Sequence, residues 1–415
     1  MMLPKLKFDC NDHKPVHGTK TFSTNVCRSL LSYKAPVLKS LHLKICFSRC
    51  TTIDAGILIG IALSRNVRKL VLQCSLLVTV FKFPRCLLYN CETLETLKLK
   101  YSARIDVPSS VRLKSLTTLH LNYVDFKNDE SVFNLLSGCP NLENLMVHLY
   151  SRRALKSLKN FKIVVPSLQR LSIFSISRRQ QHWGYVINAP SLKYLKVEGI
   201  YGLDFCLIEN TPKLVEANII DVSDIINENL LESLTSVTRL SLALSSPLKI
   251  KFPIGSIFHQ LIYLELYTNK EAWWNLLTLM LDSSPKLQFL KLIDPLGPRK
   301  DLVANGKWNQ PKNVAECLLL HLETFVWNGD KEQLEEEIEV AKYILKNAIC
   351  LKKATFSIKG FNADERLDML EELESVVKVS NSSCKLVLFL IRESLLLLIF
   401  RDFFFDSKNT LLNFG

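Results

Sequence analysis

The clearest pattern along the chain is a short frame of apolar positions, L-x-x-L-x-L, that recurs between Leu38 and Leu292. Its eleven copies end at Leu43, Leu72, Leu99, Leu121, Val147, Ile173, Val197, Ile219, Leu242, Leu266 and Leu292. Successive copies are 22 to 29 residues apart, and each frame position is apolar, with Ala217 the smallest. The last three positions alternate with period two, which predicts a short strand with one face turned inward.

The segments between the frames predict a switch from helix to strand. Six frames carry a proline two residues ahead: Pro36, Pro140, Pro166, Pro190, Pro212 and Pro285. Proline cannot continue an incoming helix and biases the preceding residue toward extended geometry. In Asp129–Pro140, Val132, Leu135 and Leu136 form a helical apolar face, and Gly138 suits a C-terminal cap. The stretches 98–111, 150–165 and 178–189 are more polar, and predict loops in place of neat helices.

A repeat of 20 to 29 residues is the period of leucine-rich repeats. The sequence therefore predicts an α/β solenoid over residues 35–297, with a curved parallel sheet inside and helices or loops outside. Residues 1–34 form an N-terminal segment before it. The asparagine that closes many repeat strands of this class is mostly absent here, so the repeats are irregular.

After Asp294 the spacing breaks at a segment rich in Gly, Pro and Asn, and a second pattern begins. Residues 321–327 and 351–360 read as strands. A helix is predicted to start near Glu332, with Leu334, Ile338, Ala341, Leu345 and Ala348 on one face. Asn362 and Glu365 have the spacing of a capping box for a second helix. That helix carries Leu367, Leu370 and Leu373. The sequence predicts a small α/β domain here.

Residues 307–360 closely resemble the FBD domain of plant F-box/FBD/LRR-repeat proteins. The matching features are Trp308, Pro311, Glu316-Cys317-Leu318, His321-Leu322-Glu323, Trp327 with Gly329, and the run from Ala341 to Ala348. Residues 113–145 resemble the leucine-rich repeats of the same family. We take the FBD-like domain to span 307–385. In such proteins an N-terminal F-box docks the Skp adaptor of a cullin-based ubiquitin ligase, and the repeats select its substrate.

The resemblance implies a protein-interaction module without the F-box, because residues 3–9 resemble the stretch that follows it. Either the protein is an F-box-less paralogue or an F-box lies upstream in the gene. Two roles follow: the substrate-recognition part of an SCF-type E3 ligase, or a decoy or regulator that binds the same partner. The Skp adaptor and cullin complex is a partner only if an F-box is restored.

Residues 386–415 form an apolar C-terminal extension beyond the point where the family usually ends. Two apolar runs, 386–391 and 395–400, are separated by Arg392 and Glu393. Each run is shorter than the ~20 apolar residues that a membrane span needs. This extension predicts a disordered or non-native segment, or a helix packed on the domain, in preference to a membrane anchor.

The charge balance favours an acidic protein partner. Residues 1–310 carry 40 Lys and Arg against 23 Asp and Glu, whereas residues 311–415 carry 13 against 17. The basic residues are scattered, which disfavours nucleic acid. The 12 cysteines have irregular gaps and no CxxC pair. Reduced thiols acting as small core residues fit this pattern, and they point to the cytoplasm or nucleus.

No catalytic, cofactor-binding or metal-ligating motif is present in the sequence, and the eight histidines are dispersed. We therefore expect a non-enzymatic protein that needs no cofactor. Its candidate site is the concave face, formed by residues between and just after the strand leucines. These are His42, Lys44, Gln73, Lys98, Lys100, His120, Asn122, His148, Phe174, Lys196, Glu198, Glu265, Tyr267 and Lys291. Trp274 is expected to pack in the core, and its neighbour Trp273 is a candidate for exposure.

Overall fold

A computed structural model gives the structure of the protein. It describes residues 5–11, 21–33, 37–46, 50–74, 81–82, 91–101, 103–150, 158, 160–176, 184–199, 205–222, 229–244, 257–268, 273–294, 308–330, 334–360, 362–379 and 384–390. Within them, contacts divide the chain into two compact units: Met1–Ser236 with Ile250–Ile254, and Val237–Lys249 with Gly255–Gly415.

The described part of the first unit contains fifteen strands and four helices. The strands are β1 (Lys5–Asp9), β2 (Ser40–Ile45), β3 (Lys69–Cys74), β4 (Phe81–Lys82), β5 (Thr96–Lys100), β6 (Ala103–Ile105), β7 (Thr118–Asn122), β8 (Asp125–Phe126), β9 (Asn144–Tyr150), β10 (Asn160–Val164), β11 (Arg170–Ile176), β12 (Gly184–Asn188), β13 (Tyr194–Glu198), β14 (Phe205–Asn210) and β15 (Glu216–Val222). The helices are α1 (Thr21–Ser32), α2 (Thr52–Ser64), α3 (Asp129–Ser137) and α4 (Asn229–Glu232).

The described part of the second unit contains six strands and four helices. The strands are β16 (Arg239–Leu244), β17 (Tyr263–Tyr267), β18 (Phe289–Ile293), β19 (Thr324–Asp330), β20 (Lys353–Lys359) and β21 (Lys385–Leu390). The helices are α5 (Trp273–Ser283), α6 (Glu316–Leu320), α7 (Leu334–Asn347) and α8 (Ala363–Val379).

The frames of the first unit build one parallel sheet. β1, β2, β3, β5, β7, β9, β11, β13 and β15 pair in that order. Frame leucines such as Leu119, Leu121 and Leu171 are 0–1% exposed, and the residues between them are half-buried. Burying each such side chain contributes roughly 1.5–3 kcal/mol. The predicted α/β leucine-rich-repeat fold is confirmed.

A regular backbone ladder replaces the missing asparagines. One carbonyl oxygen just before each of the six inner strands β3, β5, β7, β9, β11 and β13 accepts the N–H groups of two consecutive residues at the start of the next repeat, at 2.8–3.1 Å. These carbonyls belong to Arg68, Glu95, Thr117, Glu143, Gln169 and Lys193. The ladder holds neighbouring repeats in register through main-chain atoms alone, so the side chains at these positions are free to vary.

The prolines ahead of the frames occupy turns. In five repeats the N–H of the first frame leucine donates to the carbonyl three residues earlier, at 2.9–3.2 Å, with proline as the second residue of the turn. The leucines are Leu142, Leu168, Leu192, Leu214 and Leu287. Proline presets the backbone for this position of a β-turn. Pro36, the sixth predicted case, lies outside the described residues.

Strands, and not loops, lie outside the inner sheet in several repeats. β10, β12 and β14 form a second parallel sheet, and β4, β6 and β8 form a third. Phe161, Ile163, Tyr185 and Ile187 are 0% exposed, and the Phe161 and Tyr185 rings lie 5.7 Å apart. The prediction of loop-like segments here was wrong, because the alternation of apolar residues in 160–164 and 184–188 is short and flanked by polar residues.

Helix α3 forms where the sequence predicted, and Gly138 is its C-terminal cap, with its N–H donating to the carbonyl of Asn134 at 3.1 Å. Its φ of −73° is right-handed, so it is not a left-handed cap. A Cβ at Gly138 would lie 2.7 Å from the carbonyl oxygen of Val111, and the Gly138 carbonyl accepts the N–H of Leu113 at 2.8 Å. The glycine is needed for the close approach of two backbones.

The second unit is a single parallel sheet in which the FBD-like strands follow the leucine-rich strands. β16, β17, β18, β19, β20 and β21 pair in that order. The frame itself continues as Leu322, Phe325 and Trp327, and then as Leu351, Ala354 and Phe356, all 0–1% exposed. The carbonyl ladder also continues, through Gln288 and Glu323. Aromatic frame positions and longer spacing concealed these repeats in the sequence.

Aromatic side chains fill the FBD-like region. The indole N–H of Trp327 donates to the buried carboxylate of Glu337 on α7 at 3.0 Å. Trp308 packs edge-on against Tyr343 at 5.3 Å. A Cβ at Gly329 would lie 2.9 Å from the Trp327 ring. Trp308, Trp327 and Gly329, three of the residues that carry the FBD resemblance, therefore have packing roles.

Helices α5 and α8 differ in part from expectation. Trp273 and Trp274 are 5% and 6% exposed, so Trp274 packs as predicted but Trp273 is buried as well. The capping box of α8 is present. The N–H of Glu365 donates to Asn362 at 2.9 Å, and the N–H of Asn362 donates to Glu365 at 3.1 Å. The buried face of α8 is Met369, Leu373 and Val377, whereas Leu367 is 57% exposed.

The start of the predicted C-terminal extension is a strand. Residues 386–390 belong to β21, which pairs with β20. Residues 391–415 lie outside the described residues. In the described part of the chain, no helix has the length and apolar character to cross a membrane.

Candidate partner-binding face

The predicted site residues lie on the side of the inner sheet opposite to the frame leucines, which we call the open face. In the first unit the strand register sorts them into two adjacent rows. One row contains His42, Lys98, His120 and Lys196. The other contains Lys44, Gln73, Lys100, Asn122, His148, Phe174 and Glu198. All are half-buried, which leaves them accessible to solvent.

The open face is basic over the first strands of the unit. Lys7, Lys69, Lys98 and Lys100 point outward from β1, β3 and β5, and the strand positions on this face from β2 to β11 include no Asp or Glu. On β1, Asp9 forms an ion pair with Lys44 at 2.8 Å. Partial burial of the Asp9 carboxyl raises its pKa, but the Lys44 ammonium and the Asn11 N–H outweigh this effect, so the pKa of Asp9 is lowered.

Two histidines on this face are held in the neutral form. Burial, together with the positive charges of Lys98, Lys100 and Lys69, lowers the pKa of His120 to about 4. Burial and the charges of Lys7 and Lys100 lower the pKa of His42. Both imidazoles are therefore uncharged at neutral pH, and each offers one N–H donor and one acceptor.

An aromatic ladder crosses four strands beside these lysines. It consists of Tyr101, Tyr123, His148 and Phe174, with successive ring centroids 5.3, 4.3 and 5.7 Å apart. Lys196 lies 5.1 Å from the centroid of Phe174 and pairs with Glu198 at 2.7 Å. Only His148 and Phe174 were predicted as site residues. Tyr101 and Tyr123 were missed because each follows the last residue of its strand.

On the open face of the second unit, oppositely charged side chains pair with each other. Glu265 accepts a hydrogen bond from the Tyr263 hydroxyl and pairs with Lys291, both at 3.0 Å. The Tyr263 ring lies between Arg239 and Phe289. The Arg239 guanidinium is 4.0 Å from the centroid of the Tyr263 ring, and the centroids of the Tyr263 and Phe289 rings are 4.7 Å apart. The predicted residue Tyr267 lies in register with Ile293. The predicted residues Glu265 and Lys291 thus contact each other.

The buried thiols have little nucleophilic character. Burial raises the pKa of Cys74, Cys139, Cys206 and Cys317 to about 12. A thiol with so high a pKa is a weak source of thiolate. Among the described residues, no cluster of three or more His, Cys, Asp or Glu side chains could hold a metal ion.

Comparison with known proteins gives matches over most of the chain. The FBD family matches residues 310–356, and the family described as LRR repeats of FBD-associated F-box protein At5g56370 matches residues 56–222. The F-box/FBD/LRR-repeat protein At4g13965 of Arabidopsis thaliana is 57% identical over 389 residues, which cover 93% of this chain and 88% of that protein.

Two further Arabidopsis thaliana relatives match over a similar length. The FBD-associated F-box protein At1g55030 is 54% identical over 385 residues, covering 92% of this chain and 88% of that protein. The F-box/FBD/LRR-repeat protein At3g52680 is 51% identical over 398 residues, covering 93% and 84%. No solved structure shows a significant match. With its repeat sheet, its FBD segment and these relatives, the chain belongs to the plant F-box/FBD/LRR-repeat protein family.

Proposed function

We propose that this protein is a protein-interaction module that holds a partner protein on the open face of its sheet. Its role corresponds to the substrate-recognition part of an SCF-type E3 ubiquitin ligase F-box protein. The supporting observation is the register of the first unit, which gathers residues from seven repeats into two adjacent rows on one accessible face. A face of this kind can present many side chains to one ligand, and binding by it requires no catalytic group.

The partner that fits this face is acidic. The lysines of β1, β3 and β5 form the charged end of the open face. Acidic side chains on this face include Asp9 on β1, which is paired with Lys44, and then Glu198 and Glu216 on β13 and β15. Complementary charge speeds association and suppresses wrong partners. Reduced, buried cysteines support a location in the cytoplasm or nucleus.

A bulky substitution in the centre of the open face tests this function. Ser172 is half-buried on β11, in the row that contains His120 and Lys196. We expect Ser172→Arg to abolish recovery of partner proteins from plant extracts, measured by affinity purification and quantitative mass spectrometry. Ser137→Arg, at an exposed position on α3, is the matched control and should recover the same proteins as the unmodified chain. Partners that bind Ser172→Arg undiminished would contradict the assignment.

The same purification tests the link to ubiquitination. Recovery of the Skp adaptor and cullin subunits with the chain, independent of Ser172→Arg, would support delivery of the partner to a ligase. Recovery of the partner alone would support a decoy or regulator that occupies the same target.

A further inference from the structure

The aromatic ladder is a continuous row of four rings on the open face. Its four rings come from β5, β7, β9 and β11 or the residue after each strand, and neighbouring rings are in contact. Strands of a sheet are ~4.8 Å apart, so four of them span about 15 Å. Aromatic side chains at this density are typical of the energetic centre of an interface.

Two of the rings are held there by a strained backbone. Tyr101 and Tyr123 have φ angles of 64° and 56°, and their N–H groups donate to the carbonyls of Asn122 and His148 at 2.8 Å. After β13 the equivalent residue is Gly199, with φ of 68°. A left-handed conformation costs a residue with a side chain about 1 kcal/mol more than glycine. Asp221, the equivalent residue in β15, has a φ of 52°, so this left-handed position recurs along the repeats, and at Tyr101 and Tyr123 it orients the ring onto the ladder.

Three polar side-chain atoms on the open face are buried without a hydrogen-bond partner in the described part of the chain. Nε2 of His42, Nε2 of His148 and Oδ1 of Asn122 are buried with no hydrogen-bond partner among the described residues. A buried polar atom without a partner costs roughly 1–3 kcal/mol. An imidazole nitrogen in this position can donate to a carboxylate oxygen. These atoms are covered by the protein itself, so a ligand would reach them only after their side chains turn outward.

We propose that the first-unit open face binds one extended acidic peptide segment of the partner protein, with its carboxylates over the lysine patch and a flat apolar side chain on the aromatic ladder. The lysine patch is Lys69, Lys98 and Lys100 together with His42 and His120. This inference rests on the proposed function and names the chemistry of the ligand. The depressed pKa of His120 reflects, after burial, the positive field that these carboxylates would neutralise.

The extent of the lysine patch favours a short peptide over nucleic acid. It covers β2, β3, β5 and β7, a width of about 14 Å, which matches four to five residues of extended peptide at ~3.4 Å each. Beyond Phe174, Lys196 is already paired with Glu198, and β15 adds Glu216. A nucleic-acid backbone would meet these carboxylates as it crossed the face.

Fluorescence anisotropy with synthetic probes tests the proposal on the full chain. The probe is a fluorescein-labelled peptide of about twelve residues, with alternating Glu in one half and two Phe in the other. We expect saturable binding that weakens several-fold between about 50 mM and about 300 mM NaCl. Probes with Lys in place of Glu, or Ser in place of Phe, should bind at least about tenfold more weakly. Tighter binding of an equally long single-stranded oligonucleotide would overturn the proposal.

Substitutions on the open face test where the peptide probe binds. Lys98→Glu with Lys100→Glu should weaken binding at least about tenfold. Lys193→Glu with Lys213→Glu changes the net charge equally at exposed positions outside the patch and should leave affinity unchanged. Tyr123→Gly removes the ring but suits the left-handed backbone, so the variant should fold, as judged by circular dichroism, and bind about three- to tenfold more weakly.

The outcomes separate this inference from the proposed function. An equal loss of probe binding in the two double-lysine variants would contradict the peptide site. Unchanged binding of the probe to Tyr123→Gly would contradict it as well. If partner recovery remained sensitive to Ser172→Arg in that case, the open face would still bind a protein, but not through this acidic segment. Loss of binding confined to the open-face variants supports the proposal.

Discussion

At the scale of single residues, the close contact at Gly138 is the most restrictive position described. A methyl group there would meet both the carbonyl oxygen and the side chain of Val111, at 2.7 and 2.8 Å. The hydrogen bond from Leu113 prevents the two backbones from separating easily. We expect Gly138→Ala to lower the free energy of unfolding by about 1–3 kcal/mol in urea titrations.

The neighbouring exposed residue supplies the control for this substitution. Ser137→Ala should change the free energy of unfolding by less than about 0.5 kcal/mol. Equal stability of Gly138→Ala and the unmodified protein would show that the backbones can part, and would contradict the packing argument.

The ladder residue His148 gives the protein an acid-sensitive stability. Burial lowers the pKa of His148 to about 4 from its ordinary value near 6.5. The unfolded chain therefore takes up a proton as the pH falls below about 6.5, while the folded chain does so only near 4. The stabilisation is complete above pH 6.5 and is lost toward pH 4, by at most about 1.4 kcal/mol per pH unit.

Replacing His148 with phenylalanine tests this pH dependence. Phenylalanine keeps a ring between Tyr123 and Phe174 and has no titrating nitrogen. We expect His148→Phe to reduce the slope of unfolding free energy against pH between about pH 6.5 and 4, measured by urea unfolding. Part of the slope remains, because the pKa of His120 is also lowered to about 4. Superimposable pH profiles would refute the assignment to His148.

At the scale of elements, the capping box of α8 illustrates what a local pattern can establish. Asn362→Ala removes the acceptor for the N–H of Glu365 and should cost about 1 kcal/mol of stability in urea unfolding. Glu365→Gln keeps an oxygen that can accept from the Asn362 N–H, and should cost less than about 0.5 kcal/mol. Equal losses in the two variants would show that charge, and not the cap, stabilises the helix.

The inner strands and most of their open-face residues were predictable because the frame alternates with period two. Leu119 and Leu121 face the core, and so His120 and Asn122 must face away. The ladder tyrosines were not predictable, since Tyr101 and Tyr123 owe their orientation to a left-handed backbone after the strand. The outer strand 160–164 was hidden because Phe161 and Ile163 give only one clear alternation.

At the scale of the whole molecule, the FBD segment is built as further repeats of the leucine-rich pattern. β18 and β19 pair over five residues, and the Asp294 N–H donates to the Asn328 carbonyl at 2.7 Å. In the sequence, the long segment after Asp294 resembles a linker between domains. The change of repeat spacing at that point therefore suggested an independent domain. Pairing of distant segments cannot be seen from local periodicity.

Hydrogen exchange tests whether β18 and β19 open together. We expect Leu290→Asn, at a fully buried position of β18, to accelerate amide exchange in β19 as strongly as in β18. Leu279→Asn on α5 replaces a side chain that is 42% exposed, and should leave both strands protected. Acceleration confined to β18 would indicate that the FBD segment is a separate cooperative unit.

The backbone carbonyl ladder has a consequence for the evolution of the chain. From β3 to β15, successive repeats are joined by the same pair of main-chain hydrogen bonds, whatever the local side chains. Contacts in such arrays are between nearest neighbours. Duplication or deletion of one whole repeat therefore leaves the remaining junctions intact, and changes only the length and sequence of the open face. Recombination within a gene could thus produce new binding surfaces while the hydrophobic core of each repeat stays the same.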